Sequence, residues 1–234
     1  MVKQKEVKNS TKLADFVPKL EADAAGVASI ADWKGTILEE TALKLLPQAR
    51  SVVVFAMEVH PEVLALSSSE RVMGAAAPSD LIARNAEYLY GRATKAAYDV
   101  VKASHEAGLK ALALPGSGCP QDSRFIRAVF SYKHAGQAAG LGKIGWHSLL
   151  ITPRFGPRVR LACCLTEAAL EPTTLELALP CADCGVCVKN CPAGAMSEPP
   201  PGEQYAINKF ACSAYRSASG GGCCECMRLC PMSQ

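Results

Sequence analysis

The chain has 234 residues, a length that allows one sizeable core and a small appended module. Hydrophobic residues make up 49% of it and the formal net charge is +3, which excludes a disordered chain and gives no sign of nucleic-acid binding. No apolar run reaches the roughly 18 residues that a membrane helix requires. The sequence therefore predicts a globular protein with no nucleic-acid and no membrane partner.

The first half of the chain predicts helices around one buried strand. Apolar residues recur at helical spacing in three segments, although Pro18 interrupts the first of them. A β-branched apolar run is typical of a buried strand. The predicted elements are helices over residues 11–25, 37–46 and 81–107, a strand over residues 50–59 and a loop over residues 67–79.

The second half predicts shorter elements and then a cysteine-rich region. The predicted elements are strands over residues 109–114, 147–152 and 158–166, a helix over residues 124–139, a linker over 170–180 and a surface loop over 197–202. Helices alternate with strands as far as residue 166, which is typical of an α/β or α+β layer domain. We therefore predict one domain over residues 1–170 and a second over residues 171–234.

Nine of the twelve cysteines lie in the last 54 residues, in two runs that each end in Cys-Pro. The first run has the spacing C-x2-C-x2-C-x3-C-P, and the second has a lone cysteine followed by C-x2-C-x3-C-P. This spacing is typical of proteins with two 4Fe–4S clusters, in which the fourth cysteine of a run ligates the other cluster. The sequence therefore predicts a protein that handles single electrons.

The spacing also predicts which thiolates share a cluster. Cys224 competes with Cys223 as a ligand, and the x2 and x3 spacings that follow favour Cys223. Cys163 and Cys164 lie in an apolar run, so we expect them to be buried, whereas Cys119 in a glycine-rich loop is a candidate for reactivity. The predicted ligands are Cys181, Cys184, Cys187 and Cys230 for one cluster, and Cys191, Cys212, Cys223 and Cys226 for the other.

Disulfides and a zinc ribbon are the two alternative interpretations of these cysteines. The first 19 residues are charged and have no apolar core, so they do not look like a secretory signal. The repeated x3-Cys-Pro ending argues against both alternatives. Cluster cysteines need a reducing compartment, so we expect a cytoplasmic protein.

Two stretches outside the cysteine runs resemble a known family. ITPRFGPRVRLACCLTEAALEP (residues 151–172) looks like the segment before the ferredoxin module in reductive dehalogenases. AAGLGKIGWHSLLIT (residues 138–152) resembles a glycine-rich segment shared by reductive dehalogenases and epoxyqueuosine reductases. The resemblance implies an α+β fold, with a nitroreductase-like α/β domain followed by a ferredoxin-like module that holds two 4Fe–4S clusters. It also implies cobalamin in the cleft between them, with FMN as a plausible substitute.

The chain departs from this family at the proton donor. Epoxyqueuosine reductases carry a Val-Asp-Ser segment about fourteen residues before the Gly-Leu-Gly, and its aspartate donates the proton. Ile126 or Arg127 falls near that position here. Neither named reaction can therefore be carried over, and the substrate stays unassigned.

Several other residues are candidate site residues, each with a structural alternative. Gly140, Gly142 and Gly145 allow close approach of a ligand, or they serve a tight turn. We expect these glycines, Lys143 and Arg158 to contact the cofactor, although Arg158 could instead face water. The catalytic candidates, each of which could donate a proton or serve only the structure, are Tyr132, His134 and His147.

Two functions follow from these expectations. The first is an oxidoreductase that passes electrons through two 4Fe–4S clusters to cobalamin or a flavin and then to a small-molecule substrate. The second is an electron carrier or reductive activator for a partner protein, with no organic cofactor. In both cases we expect an electron donor protein of the ferredoxin or flavodoxin type.

Overall fold

The structure is a computed structural model, and it describes residues 10–67, 78–219 and 223–233. The helices are α1 Leu13–Phe16, α2 Ile37–Leu45, α3 Pro61–Ala65, α4 Ser79–Glu106, α5 Tyr132–Ala138, α6 Cys181–Cys184, α7 Val186–Lys189, α8 Lys209–Ala218 and α9 Glu225–Arg228. The strands are β1 Ala24–Ser29, β2 Ser51–Glu58, β3 Ala111–Leu114, β4 Gln121–Asp122, β5 Arg127–Ala128, β6 Lys143–Ile144, β7 Leu150–Ile151, β8 Val159–Thr166, β9 Met196–Ser197 and β10 Ala206–Ile207.

A four-stranded sheet in the order β1-β2-β8-β3 forms the centre of the fold, and all its pairs are antiparallel. In β2, Val53 lies opposite Val27 of β1 and Cys164 of β8. Seven of the eight β2 residues are buried, because the sheet is covered on both faces. The α+β class predicted from the sequence agrees with this mixed, antiparallel architecture.

Alternate residues of β2 enter two separate cores. Val54 points to the face where Trp33 and Phe130 pack, and α5 lies on that face. Phe55 points to the other face, where α4 packs through small residues. These residues are Ala93, Ala96, Ala97 and Val100, and their i, i+3, i+4, i+7 spacing places them on one stripe of the helix.

Two predicted helices are wrong in extent. The helix predicted over residues 11–25 is only the single turn α1, and β1 occupies the end of that segment. Pro18 removes a backbone donor, and the backbone of β1 finds its partners in β2 instead. A Cβ at Gly26 would lie 2.2 Å from the carbonyl oxygen of Ala139, so β1 approaches the end of α5 closely.

The helix predicted over residues 124–139 is shortened from its amino end. Its first residues belong to the β4–β5 hairpin, in which Asp122 Oδ1 accepts the Arg124 backbone N–H at 3.0 Å. This local bond favours a turn over a helix. Ile126 has a positive φ of 46°, which a helix does not allow, and α5 begins only at Tyr132.

The other predicted elements agree with the structure. Predicted helices correspond to α2 and α4, and predicted strands correspond to β2, β3 and β8. The strand predicted over residues 147–152 is reduced to β7, which pairs with β6. The loop predicted over residues 67–79 falls mostly on residues 68–77, outside the described part of the chain. Within the described ranges, none of the helices has both the length and the apolar character that crossing a membrane demands.

The cysteine-rich region packs directly on the sheet domain. Cys224 and Met227 belong to the same core as Leu64 and Ile82. Arg158, only 6% exposed, donates to the carbonyl oxygen of Ser233 at 2.7 Å. The boundary predicted between residues 170 and 171 stays a prediction, since side chains from both parts share one core.

Candidate functional site

Short helical turns position the cysteines of the first run. Cys181 and Cys184 lie at the two ends of α6, and Cys187 lies in α7. Gly185 between the turns adopts a left-handed φ of 57°, a conformation that glycine adopts without strain. The Sγ of Cys191 accepts a hydrogen bond from the backbone N–H of Ala195 at 3.3 Å.

Two helices, α8 and α9, position the cysteines of the second run close to those of the first. Cys212 lies in α8, whose first turn is capped because the Asn208 side chain accepts the Ala211 N–H at 3.0 Å. Cys226 lies in α9, and the buried Cys230 follows that helix. The chain therefore brings cysteines from four helical turns and their flanking residues together.

The pKa shifts of two buried thiols show which cysteines lie near each of them. Burial raises the pKa of the Cys230 thiol to about 11, and three neighbouring thiols raise it too. These are Cys181, Cys187 and Cys184. Burial likewise raises the pKa of Cys226 to about 12, together with four neighbouring thiols. These are Cys223, Cys212, Cys187 and Cys191.

We name the two ligand sets predicted from the sequence the first cysteine quartet, which is Cys181, Cys184, Cys187 and Cys230, and the second cysteine quartet, which is Cys191, Cys212, Cys223 and Cys226. Cys187 influences the thiols of both quartets, so the two groups adjoin. In residues 10–67, 78–219 and 223–233, no three His, Cys, Asp or Glu side chains stand close enough to hold one metal ion. A four-iron cluster is wider than a single ion and spaces its thiolates further apart.

Three of the remaining four cysteines belong to the core, and the fourth, Cys119, is half-buried. Cys163 and Cys164 are fully buried in β8, and burial raises the pKa of Cys164 to about 12. Cys224 is also buried, burial raises its pKa, and the Ser67 hydroxyl is its hydrogen-bond partner. Cys119 lies close to the Tyr132 hydroxyl and to Cys163.

A cavity of about 230 Å³ is walled by all four members of the second cysteine quartet. We call it the cysteine-lined cavity. Its other walls include Tyr90, His147, Arg160 and Met227. It therefore lies where the sheet domain meets the cysteine-rich region.

Two buried donor atoms at this wall have no hydrogen-bond partner in the described part of the protein, His147 Nε2 and Arg160 Nε. Burial lowers the pKa of His147 to about 4, so its ring is neutral near pH 7. The guanidinium carbon of Arg160 lies 5.6 Å from the centre of the Tyr90 ring. Unpartnered buried donors are rare, and they indicate a missing acceptor at this wall.

A second cavity, of about 240 Å³, adjoins the first. We call it the lysine-lined cavity, because Lys133 lies in its wall. Residues common to both cavities are Tyr90, Ser148, Leu149, Arg160 and Met227. Burial, together with the nearby Lys209, lowers the pKa of Lys133 to about 8. Lys133 donates to Ser148 Oγ and lies 3.8 Å from the centre of the Tyr205 ring.

The structure separates the three catalytic candidates. Tyr132 lines the lysine-lined cavity, but its hydroxyl donates to the Pro115 carbonyl oxygen at 2.8 Å and burial raises its pKa. His147 lines the cysteine-lined cavity. His134 lines neither cavity and is 2.6 Å from Ser131 Oγ through Nδ1.

The glycine segment serves close packing in this structure. A Cβ at Gly142 would lie 2.1 Å from the Ile151 carbonyl oxygen, and one at Gly140 would lie 2.7 Å from that of Thr173. Neither these glycines nor Gly145 nor Lys143 lines the cysteine-lined cavity or the lysine-lined cavity. The geometry favours the tight-turn alternative, and a contact with a cofactor stays a prediction.

Arg158 lines neither of these cavities, and the alternative that it faces water is also wrong, because the residue is buried and paired within the protein. Its Nη1 pairs with Glu58 Oε1 at 2.8 Å and donates to the Val59 carbonyl oxygen at the same distance. Arg160, two residues further along, lines both cavities instead. Sequence reasoning missed Ser148, a non-glycine residue with a positive φ of 66°. No sequence signal marks that conformation.

Sequence comparisons place the chain beside two groups of reductases. It is 31% identical over 111 residues to a tetrachloroethene reductive dehalogenase of Desulfitobacterium hafniense, covering 39% of this chain and 20% of the relative. It is 27% identical over 133 residues to an epoxyqueuosine reductase of Prochlorococcus marinus, covering 50% of this chain and 39% of the relative. The chain thus spans between a fifth and two fifths of these relatives. No family model matches it.

Solved structures of both groups share the fold. A reductive dehalogenase described as B12-dependent matches 94% of this chain with a TM-score of 0.69 at 18% identity, over 31% of its own length. An epoxyqueuosine reductase in complex with a tRNA stem loop matches 94% with a TM-score of 0.57 at 18% identity, over 64% of its own length. Because that neighbour binds a nucleic acid, the expectation of no nucleic-acid partner finds no support here. The chain is therefore related in sequence and in fold to the reductive dehalogenases and epoxyqueuosine reductases, as the resemblance of its segments indicated.

Proposed function

We propose that the chain is an iron–sulfur oxidoreductase that carries electrons through two 4Fe–4S clusters toward an organic cofactor and a small-molecule substrate. The observation that carries this proposal is that cysteines of both runs lie close to one another and that the four members of the second quartet wall a cavity. The relatives by sequence are named reductases, which supports the reaction class. The ferredoxin-like module and the nitroreductase-like domain are part of this proposal.

The residues present fit two clusters. Each quartet offers four thiols, and thiolates are the ligands that such clusters use. Bound clusters would supply one-electron transfer, which no amino-acid side chain of the chain supplies alone. The protein holds the thiolates in place, and Leu149 and Met227 contribute apolar surface to the walls around the second quartet. Burial and hydrogen bonds at such a wall set the potential.

An organic cofactor would lie at the lysine-lined cavity. Tyr90 and Arg160 connect that cavity to the second quartet, and Lys133 presents an amine that can hold an anionic group or release a proton from Nζ. Cobalamin and FMN are the two candidates. The cavity of about 240 Å³ is smaller than the roughly 300–1,000 Å³ of typical small-molecule sites, so the described residues would enclose only part of either.

That small volume favours the second candidate function, an electron carrier or reductive activator for a partner protein. A carrier needs the two quartets and no organic cofactor. In either case the electrons would come from a donor protein of the ferredoxin or flavodoxin type.

The test is to purify the protein without oxygen, count its iron and sulfide, and identify released small molecules by mass spectrometry. We expect about eight irons per chain and a corrinoid or flavin. Eight irons with no organic molecule, even after incubation with cobalamin and FMN, would favour the carrier. A colourless protein that holds zinc instead of iron would contradict both functions.

A further inference from the structure

His147 is held in one orientation at the wall of the cysteine-lined cavity. Its side chain is 3% exposed, and its Nδ1 accepts the backbone N–H of Leu149 at 3.1 Å. A Cβ at Gly145 would lie 3.0 Å from His147 Cε1 and 2.6 Å from Ile151 Cδ1, so the glycine makes room for the ring. The imidazole is thus fixed by a hydrogen bond on one side and by packing on another.

This orientation decides where the proton of the neutral ring lies. Because Nδ1 accepts a hydrogen bond, the proton is on Nε2, and Nε2 is a donor. Burial lowers the pKa of His147, so the ring stays neutral near pH 7. Yet Nε2 is buried and has no acceptor within the described residues. A buried donor without an acceptor costs free energy, which an acceptor in the cavity would recover.

The cavity wall indicates what that acceptor is. All four residues of the second cysteine quartet line the same cavity as His147. His147 does not line the lysine-lined cavity, whereas its neighbours Ser148 and Leu149 line both. His147 therefore borders the cavity of the cysteines and not the cavity proposed for an organic cofactor.

We propose that His147 Nε2–H donates a hydrogen bond to a sulfur of the cluster that the second cysteine quartet would hold, and that this bond raises the reduction potential of that cluster. The inference rests on the proposed function, since it needs the cluster. One-electron reduction adds negative charge to the sulfurs, so the hydrogen bond is stronger in the reduced state and favours it. His147 keeps its proton throughout and acts as a positioning residue.

The test is a potentiometric titration followed by electron paramagnetic resonance, on protein with its full iron content. His147→Phe removes the donor and keeps a ring, and we expect it to lower one of the two cluster potentials. A tenfold change in the equilibrium constant for one electron corresponds to about 59 mV. His147→Gln, which can place an amide N–H near the position of Nε2, should recover a large part of the shift. His105→Gln, at an exposed position in α4, should leave both potentials unchanged.

The outcomes separate this inference from the proposed function. Wild-type protein without iron contradicts the proposed function itself. Full iron in the His147→Phe variant with both potentials unchanged overturns the role of His147 and leaves the clusters in place. If that variant does not fold, His147→Asn replaces it. The Asn side chain is too short to place an N–H donor at the position of Nε2. An equal shift in the Asn and Gln variants would also overturn the inference, because it would not depend on the donor.

Discussion

The two adjoining cavities have nearly the same volume and different chemistry. The cysteine-lined cavity, of about 230 Å³, is lined by five cysteines, which are the second quartet and Cys224, and by His147, whose buried Nε2 has no partner among the described residues. In the lysine-lined cavity, of about 240 Å³, Tyr132 and Lys133 already have partners within the protein, and the unpartnered Nε of Arg160 belongs to a residue that lines both cavities. Tyr132 donates to a backbone carbonyl, and Lys133 donates to Ser148.

The comparison indicates that hydrogen-bond donors without a partner, more than the cavity volume, mark the place where a ligand is needed. A cavity whose donors all have hydrogen-bond partners needs no ligand to accept from them, whereas a cavity with unpartnered donors lacks an acceptor. The cysteine-lined cavity is therefore the stronger candidate for a built-in prosthetic group. The lysine-lined cavity is the place where an exchangeable molecule would bind.

The largest expected effect comes from removing one cysteine of each quartet. Cys184→Ala should remove the cluster of the first quartet, and Cys226→Ala should remove that of the second. Each variant should lose about half of the iron, because a four-iron cluster needs its thiolate ligands. Iron and acid-labile sulfide per chain are the quantities to measure.

Cys224→Ala is the matched control, because it removes a buried thiol next to a ligand without touching either quartet. It should keep its full iron. If Cys224→Ala lost iron and a Cys223→Ala variant kept it, Cys224 would be the cluster ligand in place of Cys223. Unchanged iron in both quartet variants would refute the assignment altogether.

An intermediate effect is expected in the glycine segment. Gly142→Ala places a Cβ 2.1 Å from the Ile151 carbonyl oxygen, so the backbone must shift. We expect a loss of about 1–3 kcal/mol in the free energy of unfolding, the usual range for overpacking. Urea unfolding of the protein, read by circular dichroism, measures it.

Gly91→Ala, in the middle of α4 with no atom within 4 Å of the added Cβ, is the control. It should stabilise the protein by about 0.5–1 kcal/mol, since glycine weakens a helix interior. If Gly142→Ala kept full stability and lost affinity for cobalamin or FMN, the tight-turn interpretation would be wrong and a cofactor contact would be favoured.

The cysteine grouping stays a prediction, because it rests on spacing along the chain. The x2 and x3 intervals mark Cys223, Cys226 and the first run, whereas Cys212 lies eleven residues before Cys223 and no interval of this kind marks it. The strand β2 was predicted from the sequence, because a run of buried valines is typical of a strand that is covered on both faces. The edge strand β1 was missed, because its formation depends on pairing with a distant strand, as in Val27 opposite Val53, which are 26 residues apart.

The walls of the two cavities could not be predicted for a related reason. Arg158 and Arg160 alternate along one strand, and only the packing of the C-terminal residues decides that Arg158 is buried against Ser233. Ser148 adopts a positive φ that is typical of glycine and has no sequence mark. Such features depend on contacts between distant segments, which a pattern along one chain does not record.

The smallest expected effect concerns the amine of Lys133. Its pKa is lowered by burial from 10.5 to about 8 in the folded protein. Between these values the unfolded chain binds a proton that the folded chain has released, so the free energy of unfolding should rise as pH increases from about 8 to 10.5. Below pH 8 both states carry the proton, and this dependence disappears. Lys133→Met should therefore flatten the pH dependence of urea midpoints in that range.

Lys143→Met, at an exposed position of β6, should retain the wild-type slope in the same titration. If the Lys133→Met protein showed the wild-type slope as well, the amine would not be held in a desolvated state at the cavity wall. The amine of Lys133 would then titrate like that of a surface lysine. Because a proton released near neutral pH is what a reductive reaction at this cavity would consume, that result would also remove Lys133 as a proton source and shift the weight toward the electron carrier.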